Sequence, residues 1–172
     1  MVRALFPGTF DPIHYGHIDI AERATRLFDE VLMAVYDKPL KSLLFSPEER
    51  IALVTESFRK NPKITVMGYS GLTVKFARQV DAQVIVRGLR VFSDFEFEFR
   101  MGLANQRLAS DIETVAFITA EEHTFLSSST VKEIASLGGD VSSMVPSHVD
   151  EALKKKVLSL GDGHPVPNAL RD

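Results

Sequence analysis

Cysteine is absent from this chain of 172 residues, and so is tryptophan. Without cysteine there are no disulfides, thiolate nucleophiles or Cys-based zinc and iron–sulfur sites, and nothing hints at an oxidising compartment, so the cytoplasm is expected. Long apolar runs are missing too. No stretch approaches the roughly 18 residues of a membrane-spanning helix, and Pro7, Gly8 and Asp11 interrupt the amino terminus too early for a secretory segment. A membrane partner is not expected. Positive charge is not in excess either. Twenty Lys and Arg against 23 Asp and Glu leave a net charge of -3, which argues against nucleic acid as a partner. Any anion must be captured locally.

What is present suits one domain with a buried core. Five short apolar, β-branched runs read as strands: Val2 to Phe6, Val31 to Val35, Ile64 to Met67, Val84 to Val86 and Val115 to Thr119. They lack clean polar alternation, and helical signals separate the first four from the strands that follow. This rhythm predicts an α/β fold: a doubly wound (Rossmann-like) five-stranded parallel sheet with helices on both faces. Ser46-Pro47-Glu48-Glu49 combines a capping serine, a proline at the first helical position and a glutamate three residues on. Ser93 with Glu96 predicts a second capping box ahead of a helix to Leu108. Ser147 starts a last helix, and Gly138-Gly139 ends the one that begins near Ser128. Residues 1–160 are read as the domain and 161–172, with Gly161, Gly163, Pro165 and Pro167, as a flexible tail.

Three loops carry chemistry. Pro7 to His17 follows the first strand and opens a helix, where free N–H groups and the positive dipole end suit a phosphate. His14 and His17 lie one turn apart and can face one ligand. Arg87-Gly88-Leu89-Arg90 follows the fourth strand, and its two guanidiniums form planar forks matched to phosphate, unless they merely answer Asp94, Glu96 and Glu98. Ser127 to Ser129 follows the fifth strand and opens a helix, as anion cradle or ordinary cap. Lys38 and Lys41 extend the basic rim after the second strand. A metal site on the two histidines lacks a third ligand at matching spacing. The phosphate-binding Gly-x-x-x-x-Gly-Lys-Ser/Thr and the dinucleotide Gly-x-Gly-x-x-Gly patterns are both absent.

Taken together, Gly8-Thr9-Phe10-Asp11-Pro12 with His14-x-Gly16-His17, Arg87-Gly88-Leu89-Arg90, Asp94-Phe95-Glu96 and Ser127-Ser128-Ser129 resemble the nucleotidyltransferase superfamily with its Thr/His-x-Gly-His motif. The similarity is greatest to the bacterial phosphopantetheine adenylyltransferases, over roughly residues 2 to 160. That resemblance implies adenylyl transfer from ATP to 4'-phosphopantetheine in coenzyme A biosynthesis, giving dephospho-coenzyme A and pyrophosphate. It implies His17, Lys41 and Arg90 as catalytic residues. Thr9, Lys41, Thr73 and Arg87 would bind phosphopantetheine. Thr9, Phe10, His17, Gly88, Leu89, Arg90 and Glu98, with His123, Thr124, Phe125, Leu126, Ser127, Ser128 and Ser129, would bind ATP. His17, Lys41, Arg87, Arg90 and Mg²⁺ would supply positive charge at the reacting phosphate. The Mg²⁺ would be held mainly by the ATP phosphates, with no metal site built by the chain. A homohexamer and coenzyme A as feedback ligand are likewise implied. Two departures stand out: His14 replaces a frequent threonine, and His123 replaces a frequent aromatic residue at the adenine site. A sister transferase with another phosphorylated acceptor and a non-catalytic nucleotide-binding module remain alternatives.

Overall fold

The computed structural model describes residues 1–38 and 43–160; Lys41 and the expected tail lie outside them. The elements run β1 (Arg3–Gly8), α1 (Tyr15–Ala24), β2 (Glu30–Tyr36), α2 (Pro47–Ser57), β3 (Ile64–Tyr69), α3 (Thr73–Gln79), β4 (Val84–Leu89), α4 (Phe92–Leu108), β5 (Glu113–Ile118), α5 (Ser128–Ser136) and α6 (Ser147–Leu160). A 3₁₀ turn at Glu121–His123 precedes α5.

All the strand pairings are parallel, in the order β3-β2-β1-β4-β5. The chain builds outward from β1 to β3, then returns to the other side of β1 for β4 and β5. The connections after β1 and β4 therefore diverge, and they open a crevice at the carboxyl edge between them.

Strand residues feed two cores in alternation. Ala4, Phe6, Val31, Met33, Val35, Val84, Val86 and Phe117 pack with α1, α2, α5 and α6. Leu5, Leu32, Ala34 and Ile85 pack with α3 on the other face. Along β1, β2 and the start of β4 both faces are covered, which is why those strands read as unbroken apolar runs, whereas the edge strands β3 and β5 expose Met67 and Ile118.

Local signals explain some of the helix ends, those of α2 and α5 most directly. The Ser46 hydroxyl accepts from Glu49 N–H, and the Glu49 carboxylate accepts from Ser46 N–H at 2.7 Å, so the predicted capping box forms around Pro47. Ser46→Ala should cost ~1 kcal/mol of unfolding free energy. Urea titration checks this, and an unchanged midpoint would mean the cap contributes nothing.

The second predicted box does not form. Helix α4 starts at Phe92 with Val91 as its cap, and Asp94 is engaged by Arg90 instead. An ion pair with the preceding loop outweighs the local cap there. Along α4 no residue is buried, and Phe92, Phe95, Phe97, Phe99 and Leu103 are all at least half exposed. Among the described residues no helix is long and apolar enough to cross a membrane.

Candidate active site

The β1–α1 connection is shaped around one aromatic ring. Phe10 has φ of 50°, a left-handed conformation unusual for a bulky side chain. Its buried ring packs edge-on to Phe6 at 5.8 Å and to His17 at 5.0 Å. A Cβ on Gly8 would come within 2.7 Å of that ring, so glycine makes the room Phe10 occupies.

His17 is held from the other side by His14, whose ring stacks on it at 3.7 Å. The His14 backbone N–H donates to His17 Nδ1 at 3.3 Å, which assigns the proton of the neutral ring to Nε2. Burial, and then the charges of Arg90 and Arg87, push the His17 pKa down from 6.5 to about 3. Burial, then His17, Arg90 and His123, hold His14 well below its usual range as well. The expectation of a positively charged His17 is corrected here: in the free protein the ring is neutral and can donate one hydrogen bond. His14 lies buried beneath it with Nδ1 unpartnered.

The fourth strand runs on to Leu89 rather than ending at Val86 as expected, because pairing with β5 continues that far, so Arg87 lies within β4 and only Arg90 follows it; both are already oriented. Arg87 donates twice to Glu98, at 2.7 and 2.6 Å, and once to the Pro7 carbonyl at 3.0 Å. Arg90 donates to Asp94 at 3.0 and 3.2 Å and to the Leu126 carbonyl at 2.8 Å. Asp94 and Glu98 lie one turn apart on α4, so two of the three acidic residues suspected as partners do pair. Each carboxylate fixes a guanidinium fork at the crevice, where an arriving phosphate can compete for it.

Helix α5 closes the crevice. Its cap, Ser127, accepts from Thr130 N–H at 3.0 Å, and Ser128 Oγ donates to the Pro12 carbonyl at 2.8 Å. Deeper, Lys132 Nζ donates to Asp11 at 2.7 Å, with both side chains only 3% exposed. Asp11 also accepts from the backbone N–H groups of Leu44 and Phe45. Arg50, fully buried, donates to the carbonyls of Thr9 and Tyr36 at 2.7 Å and of Phe45 at 3.3 Å. Asp11 and Arg50 thus join the β1–α1 loop to the segment ahead of α2, and Lys132 joins it to α5.

These loops enclose one cleft of about 370 Å³. Thr9, Phe10, His17, Arg87, Gly88, Arg90, Glu98, His123, Ser127, Ser128 and Ser129 all line it. Among the described residues, Thr73, Leu89, Thr124, Phe125 and Leu126 do not line its walls. Thr73 opens α3, where its Oγ1 lies 3.0 Å from the Tyr69 hydroxyl. Leu89 lines a neighbouring groove of about 260 Å³ between α4 and β5. Leu126 is in the core, Phe125 is exposed, and the Thr124 hydroxyl donates to the Ala120 carbonyl. Lys41 lies outside the described residues.

Sequence reading missed Lys132, Ile20, Leu43 and Thr119, which also line the cleft. Lys132 follows Ser128 by one helical turn, a spacing that could have revealed it.

The comparisons with known proteins agree with this geometry. The cytidylyltransferase-like family model matches residues 5–134. A phosphopantetheine adenylyltransferase of Roseiflexus sp. (strain RS-1) is 57% identical over 155 residues, covering 90% of this chain and 97% of the relative. That of Desulfitobacterium hafniense (strain Y51) is 50% identical, covering 89% and 94%. The fold is also shared with a lipopolysaccharide core biosynthesis protein from Thermoplasma volcanium, at a TM-score of 0.54 and 22% identity over 70% of this chain and 99% of that one. With the fold, the ordered motif residues and these relatives in agreement, the chain belongs to the cytidylyltransferase-like family and, within it, to the phosphopantetheine adenylyltransferases.

Proposed function

We infer that the cleft performs adenylyl transfer from ATP to 4'-phosphopantetheine. An oxygen of the phosphopantetheine phosphate attacks the α-phosphorus of ATP, the bond to the oxygen bridging to the β-phosphorus breaks, and pyrophosphate leaves. The product is dephospho-coenzyme A, a precursor of coenzyme A. One observation carries this reading: the amino-terminal ends of α1 and α5, the His17 donor and two carboxylate-held arginines all face one cleft at the carboxyl edge of the sheet.

The acceptor phosphate, with a second pKa near ~6, is largely dianionic at neutral pH and brings its own nucleophile. The protein has to hold two anions in line and stabilise charge gained in the transition state. We assign Thr9, Phe10, His17 and Ser127 to Ser129 to the ATP phosphates, with Gly88, Arg90 and His123 completing that end. Arg87 and Lys41 are assigned to the acceptor phosphate. Glu98 is assigned the role of setting the Arg87 fork. Magnesium is assigned to the ATP phosphates, where it offsets their charge; among the described residues no group of three metal-ligating side chains gathers.

The direct test is formation of dephospho-coenzyme A and pyrophosphate by the purified chain from ATP and phosphopantetheine. Activity with a different phosphorylated acceptor instead would favour the sister-transferase reading. The two ends separate by calorimetry: Lys41→Ala should raise the phosphopantetheine dissociation constant about tenfold or more, ~1.5–3 kcal/mol, and affect ATP less. Arg90→Ala should show the reverse preference. Equal weakening of both ligands by Lys41→Ala would sink the division.

Coenzyme A carries both substrate halves, so we propose that it occupies the same cleft as a feedback ligand, in the cytoplasm. The apolar face of α4 supports a homo-oligomer, proposed as a hexamer. Sedimentation of a monomer would remove that part.

A further inference from the structure

We propose that Thr119 reads the edge of the nucleotide base, an inference that rests on the ATP assignment above. Thr119 follows β5 and is 7% exposed, yet its Oγ1 has no hydrogen-bond partner. Its backbone is fixed, with the N–H donating to the Leu89 carbonyl at 2.8 Å. A buried hydroxyl left unpaired is costly unless a ligand completes it.

The surroundings indicate which part of the ligand arrives there. Strand alternation puts Thr119 on the same side of the sheet as Phe117 and as its partner Gly88, facing α1. Its Oγ1 lies 4.0 Å from the place a Cβ on Gly88 would occupy, and that Cβ would come within 2.5 Å of Ile20 Cδ1. A Cβ on Gly16 would lie 3.0 Å from the His14 ring and 3.6 Å from the His123 Cβ. Ile20 and His14 take the room beside the two glycines, and Thr119 lines the cleft together with Gly16, Ile20, Gly88 and His123. The amino-terminal ends of α1 and α5 take the phosphates. The β4–β5 end is left for the base, and Thr119 meets it with a group that both donates and accepts.

Binding measurements test this without relying on turnover. Thr119→Val keeps the shape and removes the hydroxyl, and Thr119→Ser keeps the hydroxyl. By calorimetry, Thr119→Val should weaken ATP about five- to tenfold, as expected for one lost hydrogen bond. Thr119→Ser should bind within about twofold of the parent. The penalty should vanish with an analogue lacking the contacted atom, tested with purine riboside triphosphate, 1-deaza-ATP and 7-deaza-ATP. In turnover, KM for ATP should rise while kcat stays within about twofold, a split that a merely structural role would not produce. The proposal is overturned if Thr119→Val binds ATP like the parent, or if its penalty is the same for ATP and every analogue. Should the parent chain bind ATP with this pattern but release no pyrophosphate, the catalytic reading fails and the base-reading role stands. A parent chain that binds no ATP overturns both.

Discussion

Replacing His17 with alanine should slow turnover by about 10²–10³, ~2.7–4 kcal/mol of transition-state stabilisation, the usual cost of deleting one donor from an anion-stabilising site. The ring is clamped between Phe10 and His14, and its Nδ1 is occupied by the His14 backbone N–H. It therefore meets developing charge with a fixed Nε2–H and needs no reorganisation. Because the free enzyme holds this ring neutral, with its pKa lowered to about 3, kcat/KM should show no fall from about pH 5.5 to 9. A fall in kcat/KM with a midpoint between about 6 and 7 would instead mark an imidazolium. Near-normal turnover in the alanine variant would remove His17 from the mechanism.

The same histidines set an acid limit on stability. Each resists protonation in the fold and accepts a proton near pH ~6.5 when unfolded, so the unfolded chain binds more protons below that pH. Stability is complete above ~6.5 and declines by up to ~1.4 kcal/mol per pH unit per histidine as pH falls, until the folded ring itself protonates. Urea midpoints at pH 7.5 and 5.0 measure the slope, which His17→Asn should reduce.

The largest stability effect is expected at Lys132. Lys132→Met should cost ~3–5 kcal/mol of unfolding free energy, because it leaves the Asp11 carboxylate uncompensated in the interior. Asp11 keeps its two backbone donors, Leu44 and Phe45, so the charge is not abandoned, but neither can neutralise it. The double variant Asp11→Asn with Lys132→Met removes the charge together with its partner and should regain part of the loss, since the Asn Oδ1 still accepts from one of the two amides, which donate to different oxygens of Asp11. Guanidinium unfolding of the two singles and the double gives the coupling. A loss below ~1 kcal/mol for Lys132→Met would mean that water reaches the pair.

The strands, the Ser46 box and the loops after β1, β4 and β5 were legible because each depends on residues near one another in sequence. What stayed hidden depends on partners distant in sequence. Asp11, Arg50 and Lys132 carry charges that normally face water, and nothing local announces that Arg50 is sealed beneath three carbonyls or that Asp11 and Lys132, 121 positions apart, share the interior. Ser93 had every local mark of a cap and lost its place because Arg90 draws in Asp94. The neutral state of His17 was likewise out of reach, since it follows from enclosure and two nearby guanidiniums. Thr119 was legible in principle from the alternation that buries Phe117, but a threonine after a strand resembles the start of a turn.

The tie between Asp11, Leu44, Phe45 and Lys132, with Arg50 holding Thr9 and Tyr36, has a consequence for how the enzyme fails. Many active sites sit on the least stable loops and fray well before the rest of the fold. Here the loops are fastened through the core itself, by contacts that cannot break singly without exposing buried charge. Inactivation by denaturant should then follow the same sigmoid as loss of the sheet, making catalysis a faithful gauge of the intact molecule.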